Sequence, residues 1–329
     1  MNFSAKLSIL RALAGAKLLK RRQPVAISWM ITRRCNYACQ YCNEYSVSDA
    51  HELNTGQVLS VIEKLRKAKV KIISFTGGEP LIRDDIGNII KYCVDQNIIA
   101  RLNSNGSWVP AKIGEIKGLD ALTLSLDGSE KVNDALREKG AFQSVLRAAE
   151  TAFQHHIKIG FLTVLSSENL DLQNIDFLVR LAGNFKAKIT FQPAFNTLLR
   201  GTGRNPVAPP VPKYRKVIDH LIKLKKKNLN IGNSLTGLRH LRFWPEKRSM
   251  RCAGEFIFRR IDPEGNLAYC GACEKPYNLG NCLREDLEKL LLKTTPTVCD
   301  FCWCAERVEL NRAFWGDLGA IKNYLRKTF

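Results

Sequence analysis

From residue 25 onward, short apolar or β-branched runs alternate with stretches of helical pattern, and this alternation restricts the fold more than any other feature. The runs are 25–32 (VAISWMIT), 71–76 (KIISFT), 98–103 (IIARLN), 121–126 (ALTLSL), 158–165 (KIGFLTVL) and 188–194 (KITFQPA). Between them 55–69, 84–96, a short piece near 110–117, 142–155 and 170–184 read as helices. Strands that alternate with helices build a parallel sheet with the helices packed outside it. Six repeats are too few to close an eight-fold barrel and predict an α/β fold, a partial (β/α)6 TIM-like barrel. In such a barrel the functional residues gather at the C-terminal ends of the strands.

Four polar motifs fall at those ends. Cys35-x3-Cys39-x2-Cys42 follows the first strand and Thr76-Gly77-Gly78-Glu79-Pro80 the second. Ser104-Asn105-Gly106 closes the third, and Ser125-Leu126-Asp127-Gly128 the fourth, with Asn133-Asp134 and Leu136-Arg137 behind it. Three thiolates can bind three irons of a cubane and leave the fourth open to an outside ligand that chelates through amino and carboxylate groups. Zinc draws on the same residue type. The glycines let backbone approach a ligand closely, and Glu79 with exposed carbonyls offers acceptors to an ammonium group.

Cysteine is distributed unevenly. Of eleven, three lie at 35–42, Cys93 sits in an apolar helical stretch and reads as core, and seven lie between 252 and 304. In a chain of 329 residues without an export signal, clustered cysteines point to metal rather than disulfides. The C-terminal set is Cys252-x12-Gly265-x4-Cys270, then Leu279-Gly280-Asn281, then Cys299-x2-Cys302-x-Cys304. The turn signature at 261–266 (IDPEGN), flanked by apolar residues, predicts a β-hairpin.

Punctuation suggests four segments. Residues 1–24 carry an amphipathic helix (3–22) with Phe3, Leu7, Leu10, Leu13 or Ala14, and Leu18 on the apolar side. The barrel takes 25–199. The stretch 200–212, with four prolines and two glycines, reads as a linker into a basic helix at 213–228, so linker and helix occupy 200–231. A Cys-rich unit takes 232–329. The net charge of +20 is local: residues 1–34 hold eight Lys/Arg and no acid, and 200–251 hold fourteen against two. Local charge of one sign suits an anionic partner, whether phospholipid surface, nucleic acid or anionic substrate, or else a solvated basic face. No apolar run approaches the roughly 18 residues of a membrane span, and no signal peptide is evident, so the expected place is the cytoplasm, with any membrane contact peripheral.

Together the motifs resemble the radical S-adenosylmethionine superfamily, through CxxxCxxC with Tyr41 before its last cysteine and GGEP one β–α unit later. This resemblance covers 25–196 and implies that Cys35, Cys39 and Cys42 hold a 4Fe–4S cluster at which S-adenosylmethionine is cleaved, so that a hydrogen atom can be taken from a substrate. It implies a cofactor pocket of Tyr41, Gly77, Gly78, Glu79, Pro80, Ser104, Asn105, Ser125, Asp127 and Arg137, with Asp127 also among the catalytic residues. Residues 232–329 resemble the SPASM and Twitch domains, which hold auxiliary 4Fe–4S clusters, although the later cysteines depart from the full SPASM spacing. Twitch-type ligation implies Cys252, Cys270, Cys299 and Cys302. Cys273, Cys282 and Cys304 are then substitute ligands, ligands of a further cluster, or structural. The implied partners are an electron donor of flavodoxin or ferredoxin type and an unidentified, anionic substrate. A peptide- or protein-modifying maturase or activase of the same superfamily is the alternative. A nucleic-acid-binding module with structural metal sites, the reading from another class, gives GGEP and SLDG no role.

Overall fold

The strands owe their arrangement to a period-two pattern that the sequence carries into three dimensions. In β3 (Ile99–Ser104), β4 (Ala121–Ser125) and β5 (Ile159–Leu165) fully buried residues alternate with half-buried ones. The buried set packs against the surrounding helices, and the half-buried set faces the inside of the curved sheet. The computed structural model describes residues 3–19, 22, 24–43, 51–196, 203–227, 229–246, 248–270, 278–293 and 301–328.

In chain order the elements are α1 (Phe3–Leu18), β1 (Ala26–Thr32), α2 (Thr55–Lys67), β2 (Ile72–Gly77), α3 (Ile86–Asp95), β3, α4 (Val109–Lys112), β4, α5 (Glu130–Leu136), α6 (Ala141–Gln154), β5, α7 (Leu172–Asn184), β6 (Lys188–Pro193) and α8 (Val211–Lys226). Then follow α9 (Leu235–Leu241), α10 (Gly254–Ile257), β7 (Phe258–Ile261), β8 (Asn266–Ala268), β9 (Asn278–Asn281), α11 (Leu287–Leu292), α12 (Ala305–Phe314) and α13 (Leu318–Thr328). One sheet runs β6-β5-β4-β3-β2-β1-β7-β8-β9. Strands β1 to β6 are parallel, as the β–α alternation requires, and form the partial barrel.

The structure corrects the segmentation in three places. First, α8 is not part of a linker. It buries Tyr214, Val217, Ile218 and Leu221 and serves as the outer helix of the sixth β–α unit, and Ile231 then bridges in parallel to Ile189 on β6. Second, the Cys-rich segment does not start a sheet of its own. Strand β7 pairs in parallel with β1, Ala26 opposite Phe258, and the expected hairpin β7–β8 extends the barrel sheet. Third, α1 packs inward Leu13 of the expected side together with Ile9, Ala12 and Ala16, which were not assigned to it. Ile9 and Ala16 are buried, with Ala12 and Leu13 packed beside them against Val25, Ile72 and Ile99 at the N-terminal ends of the first three strands. Leu18, assigned to the apolar side, is 78% exposed. Small and large apolar residues occur on two sides of this helix, so periodicity alone could not choose.

The margins of the partial barrel are joined by the start of α12. The Ala305 amide donates to Gln192 Oε1 on β6 at 3.3 Å, and the Arg307 guanidinium stacks 3.9 Å above the Phe258 ring on β7. Inside lies a cavity of about 800 Å³, lined by Ser28, Ser74, Asn103, Thr123, Gly160 and Thr190 among others. Closed barrels fill these layers with Val, Ile and Leu. Here hydroxyls, an amide and a glycine stand in their place and leave a chamber large enough for a ligand.

Candidate active site

The Cys35–Cys42 loop leaves β1 and is fastened to the ends of β2, β3 and β4. Gly78 N donates to Thr32 O at 3.0 Å and Glu79 N to Arg34 O at 2.8 Å. A Cβ on Gly78 would run into the carbonyl oxygens of Arg33 and Arg34, and one on Gly77, whose φ is +145°, into that of Thr32. Both positions therefore demand glycine, for close approach of two backbones. Asn36 within the loop accepts from Asn105 Nδ2 at 2.9 Å and donates to Ser107 Oγ at 3.0 Å. Gln40 N donates to Leu136 O at 3.0 Å.

Glu79 also has a structural task. Its side chain is fully buried and accepts from Leu81 N (3.0 Å), Ser104 Oγ (3.0 Å) and Asn105 N (2.7 Å). The carboxylate ties β2 to the end of β3. Burial pushes its pKa up to about 7, against the lowering by those three donors. Pro80 opens the short 3-10 turn that follows.

Asp127 is likewise engaged. It is fully buried; its Oδ2 lies 2.7 Å from Arg137 Nε and accepts from the Tyr41 hydroxyl at 2.7 Å, and its Oδ1 accepts from Val164 N at 2.8 Å. Its own amide donates to Asn133 Oδ1, and Asn169 Nδ2 holds its carbonyl at 3.0 Å. This carboxylate acts as a hub that positions Tyr41 and Arg137, not as a group presented to substrate. Asn36, Asn133 and Asn169 were missed by sequence reasoning; only Asn133, inside the SLDG motif's tail, carried any signal. Ser125 ends β4 half-buried on the inner face.

Cys39 is buried, and Cys35 and Cys42 are half-buried beside Tyr37 and Tyr41. Burial pushes the Cys35 thiol up to about 11. Burial raises Cys39 too, and Arg137, with Nη1 4.0 Å from the sulfur, works in the opposite direction. Burial opposes the Arg137 charge, but Asp127, Tyr41 and Cys39 more than offset it. The loop thus offers three thiols with one buried cation beside them. A zinc ion would need its ligands gathered on one point. Among the described residues no three His, Cys, Asp or Glu side chains gather that way. Thiolates that each bind a separate iron of a cubane stand apart, so the trio fits a cluster better than a single ion.

A second thiol group forms where the C-terminal segment meets α12. Cys252 and Cys270 pack on the same apolar cluster, Cys302 Sγ lies 4.0 Å from the carbonyl of Cys304, and burial raises the Cys302 thiol well above its usual value. Cys304, left over by spacing, is thus brought in. Cys282 is not: it is fully buried in the main core, its thiol pushed up to about 12 by burial. Cys273 and Cys299 lie outside the described residues. Arg307 repeats the role of Arg137: burial opposes its charge, and Cys270 and Cys304 favour it, with a net upward shift.

Residues 29–178 match the family described as the Radical SAM superfamily. Those residues form a radical SAM domain. The superfamily is an enzyme family whose cofactors are S-adenosylmethionine and a 4Fe–4S cluster. Among curated proteins, the mycofactocin maturase MftC of Mycolicibacterium smegmatis is 28% identical over 278 residues, which is 80% of this chain and 68% of that protein. Fe-coproporphyrin III synthase of Methanosarcina barkeri is 31% identical over 158 residues, 46% of this chain and 39% of its own length. The alignment therefore spans about two thirds of the first relative and under half of the second. Among solved structures, SuiB of Streptococcus suis bound to S-adenosylmethionine superposes with a TM-score of 0.66 at 16% identity, over 84% of this chain and 68% of that one. The anSMEcpe enzyme with bound AdoMet and Cp18Cys peptide gives 0.64 at 16%, over 93% and 98%. These likenesses extend the shared radical SAM fold, a partial barrel with a Cys-rich C-terminal part, over most of the chain.

Proposed function

We propose that Cys35, Cys39 and Cys42 hold a 4Fe–4S cluster with one open iron, and that the chain uses it to take a hydrogen atom from a substrate lodged in the barrel chamber. The observation that carries this reading is the fastening of the Cys loop to three successive strand ends. It sets three thiols, a backbone edge at Gly77–Gly78 and a buried cation at the C-terminal ends of the strands whose inner faces line the chamber. When bound, the cluster and S-adenosylmethionine supply one-electron cleavage of the cofactor and the means to abstract hydrogen. The chain's own residues do the rest. Gly77 and Gly78 present backbone at close range. Tyr41 and Arg137, both held by Asp127, shield Cys39 and keep a positive charge beside the thiolates. Ser125, Ser104 and Asn105 line the strand ends between loop and chamber.

Cys252, Cys270, Cys302 and Cys304 are the ligand set we assign to an auxiliary cluster, with Cys304 as the substitute for Cys299, which the Twitch resemblance implied and which lies outside the described residues. Four thiolates close a cubane. The first turn of α12, which begins at this set, also lines the chamber through Glu306 and Arg307, so an auxiliary cluster would stand against the substrate space. The chamber wall also carries Arg101, Lys188, Lys158 and Lys186, against Asp120, Glu306 and Glu309. With Arg307 added and Arg101 paired to Asp120, the excess of basic groups set among Ile27, Phe161 and Leu162 favours an anionic substrate with an apolar portion. Peptide modification is the second reading, favoured by likeness to a maturase and to a peptide-bound enzyme. The electron donor is of flavodoxin or ferredoxin type. Among the described residues no helix is long and apolar enough to cross a membrane. The test is anaerobic reconstitution followed by iron analysis and assay of S-adenosylmethionine cleavage. About eight irons per chain and reductant-dependent 5′-deoxyadenosine are expected; stoichiometric zinc in place of the second set of irons would refute the auxiliary cluster.

A further inference from the structure

The N-terminal end of the barrel carries a surface that the chemistry above does not use. Helix α1 spends one side on the body, through Ile9, Ala12, Leu13 and Ala16. What it turns to solvent is Arg11, Ala14, Lys17 and Leu18, with Leu19 continuing its last turn through a bond from Leu19 N to Gly15 O at 3.0 Å. Leu18 is 78% and Leu19 63% exposed. The end of α1 abuts the start of α13: the Lys17 ammonium comes within 3.5 Å of where a Cβ on Gly316 would stand. Two residues on, Leu318 is 81% exposed, the most exposed large apolar side chain described. Lys322 and Leu325 follow it at i+4 and i+7, so they lie on the same side of α13, and both are exposed. Two neighbouring helices therefore offer leucines to solvent with lysines and an arginine between them.

Charge identifies the occupant. Residues 1–24 contain no acid, and Lys6, Arg11, Lys17, Lys20, Arg21 and Arg22 give six positive charges. Among the described basic side chains here, Arg22 is paired, 3.6 Å from Glu255. Exposed leucines among basic residues, with the nearby acids Glu255 and Asp317 each paired to an arginine, match an interface where acyl chains lie beneath anionic headgroups. A protein partner of ordinary composition would gain little from such a uniform field, and a nucleic acid would gain nothing from the leucines. We propose that this face, formed by the outer side of α1 and the start of α13, docks the enzyme on an anionic phospholipid bilayer. The claim goes beyond the chemistry assigned above and does not depend on it, because it concerns the opposite end of the barrel from the Cys loop.

Co-sedimentation of the reconstituted full chain with phosphatidylcholine vesicles, with and without phosphatidylglycerol, tests it. The chain is expected to sediment with the anionic vesicles alone, and less at high salt. The paired change Leu18→Ser and Leu318→Ser should weaken binding by about tenfold or more, since both leucines lose their apolar contact. Both side chains are exposed, so the fold should tolerate the change. Iron content and cofactor cleavage in the variant confirm that it is folded. Failure to sediment at low salt would overturn the proposal. So would binding unaffected by the serine pair, or equal retention of variant and parent on duplex DNA with no preference for vesicles.

Discussion

Arg137 is held by three neighbours that need its charge: the carboxylate of Asp127, the ring of Tyr41 and the sulfur of Cys39. Removing it with Ala would leave Asp127 buried without its cation, a loss of about 3–5 kcal/mol for a pair this deep. A Lys at the same place restores a charge but not the planar fork that reaches both Asp127 and Cys39. Arg137→Ala should therefore lower the Tm markedly, while Arg137→Lys recovers much of the stability but not the affinity for S-adenosylmethionine, as calorimetric titration would show. Equal affinity in the Lys variant would mean the guanidinium serves the fold alone. Glu79 allows a pH test. Its folded pKa of about 7 lies above the ordinary 4.5, so between those values the folded state holds the extra proton. Stability contributed by protonated Glu79 is thus present at low pH and is lost as pH rises through that window, by on the order of 3 kcal/mol. Chemical denaturation from pH 5 to 8 should show this decline in the parent and a shallower one in Glu79→Gln. Parallel slopes would show that the buried carboxyl is not the titrating group.

At the scale of elements, the glycine pair and the first turn of α12 have the sharpest consequences. Because Gly78 lies against the carbonyls of Arg33 and Arg34, Gly78→Ala should move the Cys loop itself and lower both iron loading and cofactor affinity. A variant with full iron and weak cofactor binding would confine Gly78 to the cofactor. Cys304→Ala should remove about four of eight irons and spare the rest, whereas Cys282→Ala should keep all eight. The reverse pattern would contradict the grouping around α12. The six barrel strands were legible to within a residue or two because each is an apolar run bounded by turn residues. Helix α5 was not, since its seven residues show no period to read. Beyond the expected β7–β8 hairpin, the helices α9 to α13 were not read from sequence, and pairing between β7 and β1 joins residues more than two hundred positions apart, which no local pattern records.

Across the whole molecule, the cysteine spacings suggested two thiol groups, and packing sets Cys282 apart in the main core. Cys304 joins the second group because α12 begins there, and Cys282 leaves it because β9 carries it into the core. Asn36 and Asn169, which help hold the motifs in register, were invisible, since a lone Asn in a loop has many structural uses. What the sequence did contain was the order of motifs along successive strand ends, and the continuous sheet turns that order into one site. The central claim is that the loop at Cys35, Cys39 and Cys42 is where S-adenosylmethionine is cleaved. The most direct test compares reductant-dependent formation of 5′-deoxyadenosine by the reconstituted parent chain and by its triple Cys35→Ala, Cys39→Ala, Cys42→Ala variant. The parent should form it, and the variant should not, while keeping the irons held by Cys252, Cys270, Cys302 and Cys304. Cleavage by the variant at the parent's rate would contradict the account.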